Sequence, residues 1–209
     1  MKAKIQRLRF PENRRIIAIS DIHGNLSYFD GLLDRIDYDP ERDVLVLVGD
    51  ILEKGPESLA TLRRVMELQS RGPVYPVCGN CDGWHEELME TADPEMDRAV
   101  REYMNCSPIG RNGLLVQMCR EQGIDVTLEM DMPSMKAMLR AAFAPELAFL
   151  SGMPQVLVTE YYTFVHGGLP EGSPEDWDSY SCMKNDNFMN QGRRFDKWVI
   201  VGHWPVMLY

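Results

Sequence analysis

Apolar residues follow two alternating rhythms along the chain. Short apolar runs at residues 16–20, 44–48 and 74–78 each stop at a polar loop, as buried strands do. After the first come Leu26, Phe29, Leu32, Leu33 and Ile36 at helical spacing, and after the second, beyond Pro56, come Leu59, Leu62 and Met66. Strand, polar loop and helix in succession predict an α/β architecture whose strand-end loops gather on one edge of a sheet.

Over residues 83–153 the rhythm is helical, with Met96, Ala99, Val100 and Tyr103 on one face and Met135, Met138, Leu139 and Phe143 on another. Interruptions are expected at Ser107-Pro108 and at Asp131-Met132-Pro133. Nine of the 14 methionines lie in this stretch, which suits either an adaptable cap over a site or partner surface, or a helical core in which Met fills gaps; the second reading is preferred. Strand character returns at 155–159, 163–165 and 198–201, and residues 170–181 read as a loop. The organisation expected is a single domain over residues 1–209 with a mostly helical insertion, or cap, over 83–153.

The chain has 209 residues, 44% hydrophobic and 26% charged, enough apolar surface for one packed core. Its 22 Lys+Arg against 32 Asp+Glu give a net charge of −10, which argues against nucleic acid or an anionic membrane as partner. The first 15 residues have no apolar run, so no export signal or membrane anchor is expected and the location expected is cytoplasmic. Five cysteines at irregular spacing do not suggest a disulfide framework. Cys78-Gly79-Asn80-Cys81 is a CxxC, formally a redox pair or half of a zinc site, but no second CxxC accompanies it.

The chemistry is concentrated at the strand ends: Asp21-x-His23, Gly49-Asp50, Gly79-Asn80-x-Asp82, His166 and Gly202-His203. If the first of these loops is extended, Asp21 and His23 project to the same side and reach one point. Carboxylates, an amide and imidazoles suit borderline divalent ions such as Mn²⁺, Fe²⁺ or Zn²⁺. Six such groups are too many for one tetrahedral ion, whereas two ions sharing a carboxylate would use them all.

Asp21-x-His23-Gly24, Gly49-Asp50-x-x-Glu53-Lys54-Gly55, Gly79-Asn80-Cys81-Asp82, His166-Gly167-Gly168-Leu169 and Gly202-His203-Trp204-Pro205 resemble, in order, the signatures of calcineurin-like metallophosphoesterases. The His-Gly-Gly-Leu and Gly-Asp blocks are most similar to the serine/threonine phosphoprotein phosphatase branch, which also includes diadenosine tetraphosphatases. The resemblance implies a two-sheet α/β sandwich flanked by helices. It further implies two divalent metals, with Mn expected to serve in vitro, Asp21 and His23 on the first, Asp50 bridging, and Asn80, His166 and His203 on the second. A metal-bridging hydroxide would then attack phosphorus, with Lys54 and Asn80 meeting the substrate phosphate. The activity implied is hydrolysis of a phosphomonoester, on a protein or a small molecule. A dinucleoside polyphosphate or other nucleotide is the alternative substrate, and a catalytically weak scaffold that keeps the metal site is a third reading.

The pattern is broken in four places. Cys81 stands where the phosphoprotein phosphatases have the His that protonates the leaving group, although an Asn-Cys-Asp form resembles a phosphodiesterase branch. Three residues are candidates for the missing acid: Asp82, Cys81 itself and His85, which is otherwise an ordinary helix residue. Lys54 replaces an Arg and loses its bidentate fork, and no second His follows His203. The family also continues with further strands where this sequence stops at Tyr209, so the chain reads as truncated relative to it, or its second sheet as smaller. Residues Val206, Met207, Leu208 and Tyr209 would then be an exposed apolar edge.

Overall fold

The computed structural model describes residues 1–205; the apolar edge expected at 206–209 lies outside them. Three parallel strands, β2 (Arg15–Ile19), β3 (Asp43–Val48) and β4 (Val74–Val77), form one sheet in the order β2-β3-β4. A second sheet has the order β1-β5-β6-β7, built from β1 (Ile5–Arg7), β5 (Val156–Val158), β6 (Tyr162–Val165) and β7 (Trp198–Ile200). In it β5 and β6 are antiparallel and the other pairs parallel.

The period-two projection of β3 sets the layers. Val44, Val46 and Val48 face the second sheet, packing with Val77, Leu157 and Phe164. Leu45 and Leu47 face the other way, into the core formed with α1 (Leu26–Arg35) and α2 (Ser58–Arg71) through Phe29, Leu33, Leu62 and Val65. Both faces being covered, the strand is an uninterrupted apolar run, and each fully buried side chain contributes about 1.5–3 kcal/mol relative to exposure. The far face of the second sheet is closed by Leu169, Cys182 and Phe188. The result is a two-sheet sandwich flanked by helices.

Five α-helices follow β4 before β5: α3 (Asn80–Glu90), α4 (Pro94–Cys106), α5 (Leu114–Glu121), α6 (Met132–Ala142) and α7 (Ala144–Gly152). Helical structure thus begins at Asn80, three residues ahead of Gly83. The interruption expected around 131–133 is the end of the non-helical residues 122–131, where α6 begins: Asp131 caps it by accepting from the Ser134 N–H, and Pro133 sits in its first turn. Asp93 caps α4 in the same way. Met89, Met104, Met118, Met132, Met135 and Met153 are buried in the main core, and Met96, Met130 and Met138 pack against it, so the methionines fill space between helices. Residues 170–181 are less loop-like than expected, for Asp178 caps the short helix α8 (Ser179–Met183). Among the described residues no helix is long and apolar enough to cross a membrane.

Candidate metal centre

The loops leaving the C-terminal ends of β2, β3, β4, β6 and β7 carry Asp21, His23, Asp50, Asn80, His166 and His203 to one edge of the sandwich. Asp50 is at the middle. His166 Nε2 is 3.3 Å from Asp50 Oδ1, and His23 Nε2 is 3.7 Å from Asp50 Oδ2 and 3.6 Å from Asp21 Oδ1. Two sets of possible ligand atoms share this carboxylate, His23–Asp50–Cys81 and Asp50–His166–His203, each with its atoms within 4.8 Å of one another.

The approach of Asp21 and His23 does not come from an extended segment. Both have positive φ, 58° and 51°, and so do Asp50, Glu53, Lys54 and His203. Among the described residues only Asn13 and Asp37 share that conformation without being glycine and without being on these loops. Left-handed backbone is unfavourable for residues with a Cβ, and here it is concentrated where polar side chains must converge. Two glycines allow the loops to close. A Cβ on Gly79 would overlap the Asp50 amide and carboxylate, and one on Gly49 (φ 81°) would lie 2.6 Å from the His166 ring.

Hydrogen bonds leave specific atoms free. His166 Nδ1 donates to the Val48 carbonyl at 2.8 Å, which fixes the tautomer and leaves Nε2 without a hydrogen-bond partner, facing Asp50. Two acceptors 3.3 Å apart require a proton or a cation between them. Asn80 Oδ1 is likewise buried without a donor. Burial opposes the Asp50 charge, but His166 and the Cys81 N–H outweigh it and hold the carboxyl below its usual range. Burial and the Lys54 ammonium lower His23, keeping it the neutral imidazole that a metal takes. The donor set and its orphaned acceptors fit divalent cations.

The three candidate acids are placed differently from one another. Asp82, buried, accepts from the Ile51 and Leu52 N–H groups on Oδ1 and from the Gly79 N–H on Oδ2, so it ties the Asp50 loop to the start of α3. Burial and the nearby Asp50 charge raise its pKa, but neither oxygen is turned to the cluster. His85 is buried too, donating from Nδ1 to the Asp82 carbonyl, with Nε2 3.1 Å from Glu53 Oε1. This pairing with Glu53 explains the residue without an acid's role and removes it from substrate reach. Cys81 does border the cluster, yet burial and Asp50 push its thiol up, making it a weaker proton donor. Cys78 and Cys81 are both free thiols: Cys78 turns to the Gly79 carbonyl, and Cys81 Sγ accepts from the Asn80 amide.

Lys54 reaches the cluster and donates to His23 Nε2 at 2.8 Å. One contributor was not anticipated: Asp186, whose Oδ1 is 2.8 Å from His203 Nε2. A carboxylate behind an imidazole orients the ring and raises its basicity toward an ion. Asp186 lies in the Asn185–Asn187 loop, which carries no periodicity or motif, so only the fold reveals it.

The sequence matches the family described as calcineurin-like phosphoesterase over residues 14–208. The chain belongs to this family. Its members use divalent metals, and the convergent residues here supply candidate ligands. Curated relatives include a symmetrical bis(5'-nucleosyl)-tetraphosphatase of Pseudomonas fluorescens Pf-5, 32% identical over 135 residues, covering 62% of this chain and 42% of the relative. Another, from Pseudomonas fluorescens SBW25, is 46% identical over 65 residues, 31% of this chain and 22% of the relative. The matched segments thus span less than half of these relatives' length. A crystal structure described as a candidate diadenosine tetraphosphatase shares the fold with a TM-score of 0.60 at 19% identity, covering 96% of this chain and 79% of that one. A Saccharomyces cerevisiae serine/threonine phosphatase, described as similar to human phosphatase PP5, shares it with a TM-score of 0.52 at 13% identity, covering 88% and 50%.

Proposed function

We propose that this family member hydrolyses dinucleoside polyphosphates with two divalent metal ions, Mn²⁺ serving in vitro. Asp21, His23 and Asp50 would hold one ion, and Asp50, Asn80, His166 and His203 the other. The observation that carries the metal chemistry is the pair of buried acceptors, His166 Nε2 and Asn80 Oδ1, left without donors beside Asp50. When bound, the ions supply Lewis acidity toward phosphoryl oxygen and an activated water. The chain's own part is to hold the ligands on strained loops, to brace the Asp50 loop through Asp82, and to present the Lys54 ammonium to a phosphate.

Two considerations favour a polyphosphate over the phosphomonoester or phosphoprotein that the family resemblance first suggests. The relatives just described are named for dinucleoside tetraphosphates. Independently, among the described residues no strong proton donor faces the cluster: Asp82 and His85 are engaged elsewhere, and Cys81 replaces the family's His. A serine phosphate must expel a basic alkoxide, which benefits from an acid worth about 10²–10⁴-fold. A phosphoanhydride expels a phosphate whose second pKa is about 6, and needs none. Residues 83–153 carry 12 Asp+Glu against 6 Lys+Arg, but this acidity is no obstacle to a polyphosphate. Asp97 pairs with Lys136, Glu121 and Glu146 with Arg63, and Glu86 with Lys4, so part of that charge is locally compensated.

The test is a substrate panel with Mn²⁺, run beside metal analysis of the loaded protein. Diadenosine tetraphosphate is expected to yield two ADP, with kcat/KM at least about 100-fold above a phosphoserine peptide, the scale of the absent acid. Two metals per chain are expected. A phosphopeptide turned over as fast as the dinucleotide would restore the phosphomonoester reading, and metal binding without any turnover would mark a scaffold.

A further inference from the structure

A cavity of about 380 Å³ opens between α3 and α4 beside the candidate metal centre, within the range of small-molecule sites. Lys54, Asn80 and Cys81 line its inner end, so it is continuous with the cluster, while Trp84, Tyr103 and Ile109 form its outer walls. Trp84 and Tyr103 stand at 85° to each other with ring centroids 6.0 Å apart, making an aromatic corner. Both rings are held from behind. Trp84 lies against His85 with centroids 4.1 Å apart, and the Tyr103 hydroxyl donates to Glu53 Oε2 at 3.4 Å. Glu53 is itself buried, accepting from the Leu114 N–H and lying against His85, so it adds no open negative charge to the wall.

We propose that this corner binds the nucleobase of the departing nucleotide, with Trp84 and Tyr103 as specificity-determining residues. The inference rests on the dinucleoside polyphosphate reading above and extends it to a base-binding site. A flat heteroaromatic ring entering the corner meets one aromatic ring face to face and the other edge-on, the two arrangements that aromatic pairs favour. Phosphates carried on the ribose of that base would run inward past Lys54, the one cation lining the cavity among the described residues, toward Asp50. The pre-set orientation of both rings limits the ordering cost of binding. The buried pair of Glu53 and His85 thereby has a use outside proton transfer: it is the support on which the two aromatic walls rest.

The experiment compares diadenosine tetraphosphate with inorganic tripolyphosphate, which has the anhydride but no base. Trp84→Leu keeps apolar bulk while removing the ring, and Ala99→Phe fills the cavity from an exposed position on α4. Each is expected to lower the ratio of kcat/KM for the dinucleotide to that for tripolyphosphate by about tenfold or more, mostly through KM, the scale of one lost base-stacking contact. Tyr161→Ala, a substitution at an exposed residue outside this cavity, should leave the ratio alone. Adenosine titrated into the metal-free protein should quench tryptophan fluorescence, and Trp84→Leu should abolish that quench. An unchanged ratio in both variants, or a quench that survives Trp84→Leu, overturns the base site. So does a phosphopeptide with apolar flanks whose KM responds to these variants while that of the dinucleotide does not. If neither anhydride is hydrolysed, the proposed activity fails by itself, and the adenosine titration still decides the pocket.

Discussion

Strand β3 has a buried aspartate at each end, Asp43 at its first position and Asp50 two residues beyond its last, with 1% and 2% of their surface exposed. Asp43 is held by the Arg15 guanidinium at 2.8 Å and 2.7 Å on its two oxygens, and by the Asp39 N–H at 2.9 Å. Asp50 faces two imidazoles, accepts from the Cys81 N–H, and sits beside acceptors that have no donor. Surface exposure is therefore nearly equal at both ends and does not distinguish them, although the cover over Asp43 is a half-exposed Arg15. The completeness of the partners does: one carboxylate closes a structural junction, and the other is left with coordination to give.

Asp50→Asn attacks the difference most directly. Loss of the shared carboxylate should lower kcat/KM by about 10³-fold, the upper range for removing one charge-stabilising group, and should reduce the metal bound per chain. Stability of the metal-free protein should fall modestly, because the contacts with His166 and the Cys81 N–H that hold the carboxyl ionised against burial lose their charge. Calorimetry of the metal-free variant beside its activity checks both halves. A variant as active as wild type, or one that binds as much metal, would erase the distinction between the two ends.

A smaller effect is expected from Asp186→Asn. The carboxylate touches His203 from a largely exposed position, so it supports an imidazole without being buried with it. Loss of such a backing group costs about 10–100-fold in metal affinity, and solvent exposure places Asp186 at the lower end. Mn²⁺ titration by calorimetry should show about tenfold weaker binding with no change in unfolding midpoint. An unchanged affinity would mean that His203 is oriented by its loop alone.

The contrast between the ends of β3 also explains what was legible before the fold was known. Strand ends and their polar residues stood out because β2, β3 and β4 are apolar runs that stop abruptly, and five such stops carried all six candidate ligands. Asp43 and Asp186 carried no such signal, because their partners Arg15 and His203 are brought to them by sheet pairing and by a loop. The three-residue strand β1, Ile-Gln-Arg, was invisible for a related reason: it is recruited by backbone pairing with β5 and has one apolar residue. Helices α5 and α7 lie within the stretch of helical rhythm, but nothing marked them out as separate helices. The hydrophobic residues of α7 surround it without a clear stripe, which is how a helix wedged between neighbours reads. The positive φ values at Asp21 and His23 are imposed by loop closure, and nothing local to an Asp-x-His triplet announces them.

The last expectation concerns the paired end. Asp43→Asn should cost about 1–2 kcal/mol, less than a fully buried charged hydrogen bond because Arg15 is half exposed to solvent, and should leave kcat per folded molecule unchanged. Its pH dependence has a defined sign. The Arg15 guanidinium, with the Asp39 N–H, holds the Asp43 carboxyl below the ordinary carboxylate value of about 4 against the opposing effect of burial. The ionised form therefore stabilises the fold fully above that value. As pH falls through it toward the lower folded value, the unfolded chain takes up the proton first and the contribution is lost. Urea unfolding should show a constant gap between wild type and Asp43→Asn from about pH 5 upward, narrowing below about pH 4. A gap that widened in acid would mean that the Arg15–Asp43 pair is not what secures this end of the sheet, and that the two aspartates of β3 differ for some reason other than the completeness of their partners.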